Sequence, residues 1–221
     1  MNLNYSEALK ELIRSRLQSF EPIKLDRSHS RHAAVAFTLM NCSEPADIAN
    51  IQFVPDNKNM AAFLLTTRAK GLSSHGGQRA YPGGRVDPGE SALQAAVREL
   101  REEVGLAVDD SAILGRLDDY PTRSGYIISP FVIWAGSDPV LIAGPDEVAA
   151  MHRIPLNELI REDAPILQVI PESDQPVLKM PIGDDWFAAP SAAIAYQFRE
   201  IALYARPTRV AHFEQPYFAW K

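Results

Sequence analysis

Cysteine is almost absent: Cys42 is the single one in 221 residues. An internal disulfide and a thiolate-based metal site are therefore both excluded. Long apolar runs are also missing. No stretch of about 18 apolar residues occurs, so no membrane-spanning helix is expected. Residues 1–20 lack a basic stretch followed by an apolar block, which argues against a secretory signal and for a reducing cytoplasm. Positive charge is in deficit, with 22 Lys+Arg against 28 Asp+Glu and a net charge of −6. Such a balance lacks the basic face that nucleic acid demands. It leaves room for a small phosphorylated partner, because a bound metal inverts the local sign. Internal repeats and low-complexity segments are absent, and His29, His32, His152 and His212 show no ligand spacing.

What is present is enough apolar residue, 46%, for one packed domain with appendages. Leu9, Leu12, Ile13, Leu17 and Phe20 recur at helical spacing, predicting an amphipathic helix over 5–20 that Glu21-Pro22 ends. The expected division is a helical appendage at 1–22, a domain at 23–205 and a tail at 206–221 packed on that domain. The helix and the aromatic tail are also the candidate surfaces for a homodimer. Strands are expected at 31–40, 61–67, 113–117, 126–135 and 148–154, with irregular chain at 41–58 and a long Gly/Ser-rich loop from 68 to 84. A short helix follows at 155–160. A hairpin is expected from 177–180 and 185–188, and a long helix at 191–204. This order predicts an α/β fold, a mixed sheet with helices on both faces.

The chemistry concentrates between Gly84 and Leu106. Ser91 and Gln94 form an S-x-x-Q capping box, so a helix should begin near 92, and Gly105 should end it. Leu93, Val97, Leu100 and Val104 form one stripe. Glu99, Glu102 and Glu103 are three and four apart and are expected to share the opposite side. Three like charges on one face repel unless a cation neutralises them, and oxygen-only ligands suit Mg²⁺ or Mn²⁺. An isolated E-x-x-E-E would better fit a solvated face paired with Arg98 and Arg101 through i,i+3 and i,i+4 contacts. Here Pro82-Gly83-Gly84 lies just upstream, letting a loop backbone approach that face.

The spacing of Gly84, Glu90, Arg98-Glu99-Leu100, Glu102-Glu103 and Gly105-Leu106 reads G-x5-E-x7-R-E-U-x-E-E-x-G-U, with U aliphatic. It resembles the signature of the Nudix hydrolases at all nine specified positions. The resemblance implies a Nudix-type α/β/α sandwich and metal-dependent cleavage of a nucleoside diphosphate linked to another group. It implies Glu102 and Glu103 as core ligands, the Gly83 carbonyl and Glu99 completing the site, and Arg98 pairing with Glu90 or a neighbouring acid. Glu147, on a Pro-Asp-Glu-Val loop, sits where related enzymes place an extra acid; it is a ligand, a general base or a plain loop residue.

The flanks resemble one branch of that family, the coenzyme A pyrophosphatases. Leu64-Leu65-Thr66-Thr67-Arg68-Ala69, Gly77 and Tyr81-Pro82-Gly83-Gly84 are similar to its motif LLTxR[SA]-x3-R-x3-G-x3-F-P-G-G. Thr122, Ser124-Gly125-Tyr126 and Asp146-Glu147-Val148 are similar to its downstream segments. Ser73 and Tyr81 depart from it, standing where the motif has arginine and phenylalanine. Coenzyme A carries a 3′-phosphate that needs a cation, and Lys70, Arg79 or Arg123 is the expected substitute for the lost arginine. Arg68, His75 and Ser124 complete the expected substrate contacts. Ser124-Gly125 fits a plain β-turn equally well. Another diphosphate (ADP-ribose, a nucleotide sugar, a nucleoside triphosphate) and a non-catalytic nucleotide sensor stay as alternatives.

Overall fold

Alternation along three strands builds the sandwich. In the computed structural model, which describes residues 2–26, 30–42, 48–51, 59–69, 71 and 76–220, strand β1 (Arg31–Asn41) lies at the centre of the main sheet. Its even positions Ala34, Ala36 and Met40 face one helix, and Phe37 and Leu39 face the opposite core. Side chains of a strand point alternately to its two faces, so one strand serves both layers. β2 (Ala61–Arg68) repeats the pattern, with Leu64 on the first side and Phe63 and Leu65 on the second. Counting in chain order with β3 (Arg79–Ala80), β4 (Gly83–Arg85), β5 (Ile113–Arg116) and β6 (Tyr120–Pro121), β7 (Tyr126–Trp134) follows the same rule. Its Phe131 and Ile133 face one side, and Val132 and Trp134 the other.

β1 and β7 run parallel, from Arg31 opposite Tyr126 to Leu39 opposite Trp134, while their other partners are antiparallel. β8 (Val148–Pro155) pairs with β2, giving an eight-stranded mixed sheet among the described residues. Helix α2 (Ala92–Val104) covers the first face. Its Ala92, Ala95 and Ala96 lie on Ala34 and Phe131, and small residues on both sides permit close approach. The second face is covered by α1 (Glu7–Ser19) and by α3 (Ser191–Phe198), which continues as a π-helical turn over Arg199–Leu203. The architecture is the expected α/β sandwich with a mixed sheet.

Leu9, Ile13 and Leu17 of α1 are buried in the same core cluster as Phe37, Phe63 and Phe198. Arg16 donates to the carbonyls of Ala202 and Leu203 at 2.8 and 2.7 Å, closing the π-helical end of α3. Tyr81 packs its ring 5.1 Å from Phe37, and its buried hydroxyl donates to the Ser191 carbonyl at 3.1 Å. The hydroxyl that distinguishes it from phenylalanine is thus satisfied. Among the described residues no helix is long and apolar enough to cross a membrane.

Two expectations need correction. The loop expected from 68 to 84 contains β3 and β4, two short strands that alternation is too brief to reveal. The expected hairpin, now β10 (Ser173–Ile182) and β11 (Asp185–Ala188), has a third partner, β9 (Ile166–Ile170), completing a separate small sheet. β9 is largely exposed, so no buried face imposed a pattern on its sequence.

Candidate active site

Helix α2 begins at the Ser91/Gln94 capping box and ends at Gly105, whose φ of 70° is the left-handed conformation glycine adopts without penalty. Between these caps the three acids differ sharply. Side-chain exposure is 4% for Glu103, 14% for Glu99 and 52% for Glu102. They do not share one solvated face: Glu99 and Glu103 turn inward beneath β4, and only Glu102 faces water. β4 makes this possible by being glycine. A Cβ on Gly84 would overlap the Glu99 carboxylate, and one on Gly83 would overlap Ala34 and Val35 of β1. Gly83 also donates its N–H to Glu103.

A third carboxylate arrives from far along the chain. After β7 the chain crosses the end of α2, where Ile142 and Gly144 donate to the carbonyls of Val104 and Glu103 at 2.9 and 2.7 Å. The Glu147 carbonyl then accepts from Ala69 at 2.8 Å, fixing the turn. Glu99, Glu103 and Glu147 each offer an oxygen, and these oxygens lie within 4.8 Å of one another. Three hard anionic donors at that spacing fit a divalent cation and are costly without one. Burial pushes the Glu103 carboxyl up to about 8, with Glu99 and Glu147 adding repulsion against the opposing pull of Arg68 and the Gly83 N–H. Burial also raises Glu99, although Arg98 offsets part of it.

Arg98 is the clamp of this region. Its Nε and Nη2 reach the two Glu90 oxygens at 3.0 and 3.1 Å, and Nη2 also reaches the Arg85 carbonyl at 3.0 Å. Its Nη1 contacts Glu99 at 2.9 Å and Glu102 at 3.0 Å. The fork holds the Glu90 carboxyl below its ordinary range and ties the loop after β4 to the helix. Arg68 stands 3.8 Å from Glu103.

Beside Gly83 and Gly84 opens a cavity of ≈ 720 Å³, a size that takes a nucleotide-like molecule. Arg31, Arg68, Arg79, Arg85, Ser124 and Tyr126 line it, with Trp186 of the small sheet and Gln215, Pro216, Phe218 and Ala219 of the tail.

A family model for the NUDIX domain matches residues 47–172. The chain belongs to the Nudix family. It is a pyrophosphohydrolase of nucleoside diphosphate derivatives, and enzymes of this family generally use divalent metals such as Mg²⁺ or Mn²⁺. Among its Nudix relatives is NudL of Yersinia enterocolitica, itself uncharacterized. The two are 33% identical over 155 residues, 69% of this chain and 71% of that protein. Nudix hydrolase 3 of Caenorhabditis elegans is 38% identical over 103 residues, which is 45% of this chain and 43% of that one. The Nudix fold is also seen in the crystal structure of a MutT/nudix family protein from Enterococcus faecalis. The TM-score is 0.52 at 18% identity, covering 91% of this chain and 77% of that one.

The expected substrate contacts divide. Arg68, Arg79 and Ser124 line the cavity of this Nudix enzyme. Arg79 is held by Asp185 at 2.7 Å and by the Trp186 carbonyl at 3.3 Å. Arg123 is not on the cavity lining: Glu214 takes its Nε at 3.0 Å and its Nη2, and the Trp220 ring lies 4.7 Å from its guanidinium. Ser124-Gly125 is a β-turn, closed by Gly125 N–H to the Thr122 carbonyl at 3.0 Å, and Ser124 faces the cavity from it. Lys70, Ser73 and His75 lie outside the described residues. Sequence reasoning missed Arg31 and Arg85. Arg85 follows the two glycines directly, but Arg31 carries no motif, and only the parallel pairing of β1 with β7 brings it to Tyr126.

Proposed function

We propose that this Nudix enzyme cleaves coenzyme A or its acyl derivatives at the diphosphate, releasing 3′,5′-ADP and 4′-phosphopantetheine or its acyl form. One observation carries the reading. The segments that resemble the coenzyme A branch are scattered in sequence, yet Arg68, Gly77, Tyr81, Gly83, Ser124 and Tyr126 all line the same cavity beside the carboxylates. The arrangement supports Glu99, Glu103 and Glu147 as the residues that would hold Mg²⁺ or Mn²⁺. When bound, the cation supplies charge neutralisation of the diphosphate and a lowered pKa for the attacking water.

The chain's own residues do the rest by position and field. Arg68, facing both Glu103 and the cavity, favours the ionised form of that buried carboxylate and offers a cation to the diphosphate. Glu147, the exposed acid of the cluster, would offer one carboxylate oxygen to the cation, and its other oxygen is the group proposed to take the proton of the attacking water. Glu102 remains a proposed ligand that must give up Arg98 to serve. The Gly83 carbonyl completes the proposed set.

Because Arg79 and Arg123 are already paired with Asp185 and Glu214, a diphosphate lacking the extra phosphate, such as ADP-ribose or a nucleotide sugar, is the competing substrate. The deciding experiment incubates the purified protein with Mg²⁺ or Mn²⁺ and a panel of diphosphates, identifying products by mass. Coenzyme A is expected to show the highest kcat/KM. Equal or faster hydrolysis of ADP-ribose would reject the substrate and leave the chemistry intact.

A further inference from the structure

Most described arginines are spoken for. Arg98, Arg116, Arg153, Arg161, Arg199 and Arg209 each face a carboxylate. Of the four arginines on the cavity wall, Arg68 stands by Glu103 and Arg79 by Asp185. Arg31 and Arg85 differ: neither has a carboxylate partner among the described residues. In a chain with net charge −6, two unneutralised cations on one cavity wall need a reason.

Their placement is built rather than incidental. Both guanidinium groups lie over the ring of Tyr126, at 4.2 Å for Arg31 and 5.7 Å for Arg85. A ring under a guanidinium orients it without neutralising it, whereas a carboxylate would do both. Arg31 is further fixed by donating to the Ser124 carbonyl. Arg85 is fixed through its backbone, since β4 pairs Arg85 with Ala33 of β1 and its carbonyl accepts from Arg98. Both residues are exposed on the cavity lining and, among the described residues, keep N–H donors unused. Arg85 directly follows Gly83-Gly84, so the pair adjoins the carboxylate site while sitting on the opposite side of β4 from α2.

We propose that Arg31 and Arg85, braced on Tyr126, form a fork for a phosphomonoester on the nucleotide half of the substrate, distinct from the diphosphate that is cleaved. On the reading proposed above, on which this rests, that group is the 3′-phosphate, and the fork supplies the cation missing at Ser73. A phosphomonoester is near doubly charged at neutral pH and offers three acceptor oxygens, matching two planar forks better than a sugar or a base does.

The test measures binding of 3′,5′-ADP and of AMP to the full-length protein by calorimetry, without metal. Wild type should bind 3′,5′-ADP on the order of tenfold or more tightly, the value of one charge-assisted contact. In R31A and in R85A the ratio of the two Kd values should fall toward one, and Tyr126→Leu should lower it in part. Melting curves show whether each variant is folded; for one that is not, R31K and R85K retain charge but lose the fork, and each should give an intermediate ratio. Equal affinity of wild type for both ligands would overturn the fork. So would proportionate loss of both ligands in folded variants. Hydrolysis separates the two readings. If coenzyme A is not cleaved but the ratio behaves as stated, the fork stands and the substrate falls. If coenzyme A is cleaved and the ratio is insensitive to both arginines, the fork falls alone.

Discussion

Glu103 is where burial and charge conflict most directly. A carboxylate at 4% exposure beside two others is opposed by burial and repulsion, and Arg68 and the Gly83 N–H offset only part of that; the cation proposed above would offset the rest. Glu103→Gln keeps shape and removes the charge a hard cation needs. Turnover is expected to fall by two decades or more, about 3 kcal/mol of barrier, with the fold intact by circular dichroism. The metal-free protein gives a second readout. The folded carboxyl is raised to about 8 from an ordinary value of 4.5, so the folded state holds a proton that the unfolded state releases. Stability of the wild type should therefore fall as pH rises from about 4.5 to 8 and level off above that. Glu103→Gln should lack that part of the slope; identical pH profiles of melting temperature would remove Glu103 as its source.

Between residues and the whole lies the β4–α2 unit, where each part explains its neighbour. Gly84 makes room for the Glu99 carboxylate, so Gly84→Ala should displace that proposed ligand while β4 still pairs with β1. The Mg²⁺ concentration for half-maximal rate is expected to rise roughly tenfold, one ligand contact of about 1.4 kcal/mol. An unchanged metal requirement would show that Glu99 does not ligate. Arg98 acts differently, since it joins Glu90, the Arg85 carbonyl and two helix acids through one guanidinium. Arg98→Ala should cost roughly 1–3 kcal/mol in urea unfolding, and Arg98→Lys should recover little because one ammonium cannot reproduce the fork.

At the scale of the molecule, the tail completes the cavity. Tyr120 donates to the Phe213 carbonyl at 2.7 Å, Glu214 N–H reaches the Pro176 carbonyl at 2.9 Å, and Arg123 grips Glu214. Gln215, Pro216, Phe218 and Ala219 are thereby held on the cavity lining. Arg123→Ala, which should loosen the tail without touching the carboxylates, is expected to raise KM severalfold, on the order of 1 kcal/mol, and to alter kcat much less. A fall in kcat at constant KM would count against the tail as a substrate wall. Metal should also be visible globally: Mg²⁺ or Mn²⁺ at millimolar concentration should raise the melting temperature by mass action, and less so in Glu103→Gln. No shift under conditions where activity is present would contradict a preformed site.

What was readable in the sequence followed from short-range physics. The capping box, the apolar stripe of α2, the left-handed Gly105 and the alternation of β1, β2 and β7 are each set within one element by helix or strand periodicity. The family signature is likewise contiguous, so its chemistry was legible before any fold was. Tertiary structure decided which acids meet. Glu102 and Glu103 are adjacent in sequence yet one faces Arg98 and water, while Glu147 joins Glu99 and Glu103 through a crossing loop that no local pattern encodes. The same holds for the cations. The partners of Arg79 and Arg123, Asp185 and Glu214, are brought to them only by the hairpin and the tail, and only parallel pairing of β1 with β7 sets Arg31 beside Tyr126. Periodicity specifies which side of an element a residue occupies, whereas its electrostatic partner is fixed by long-range packing.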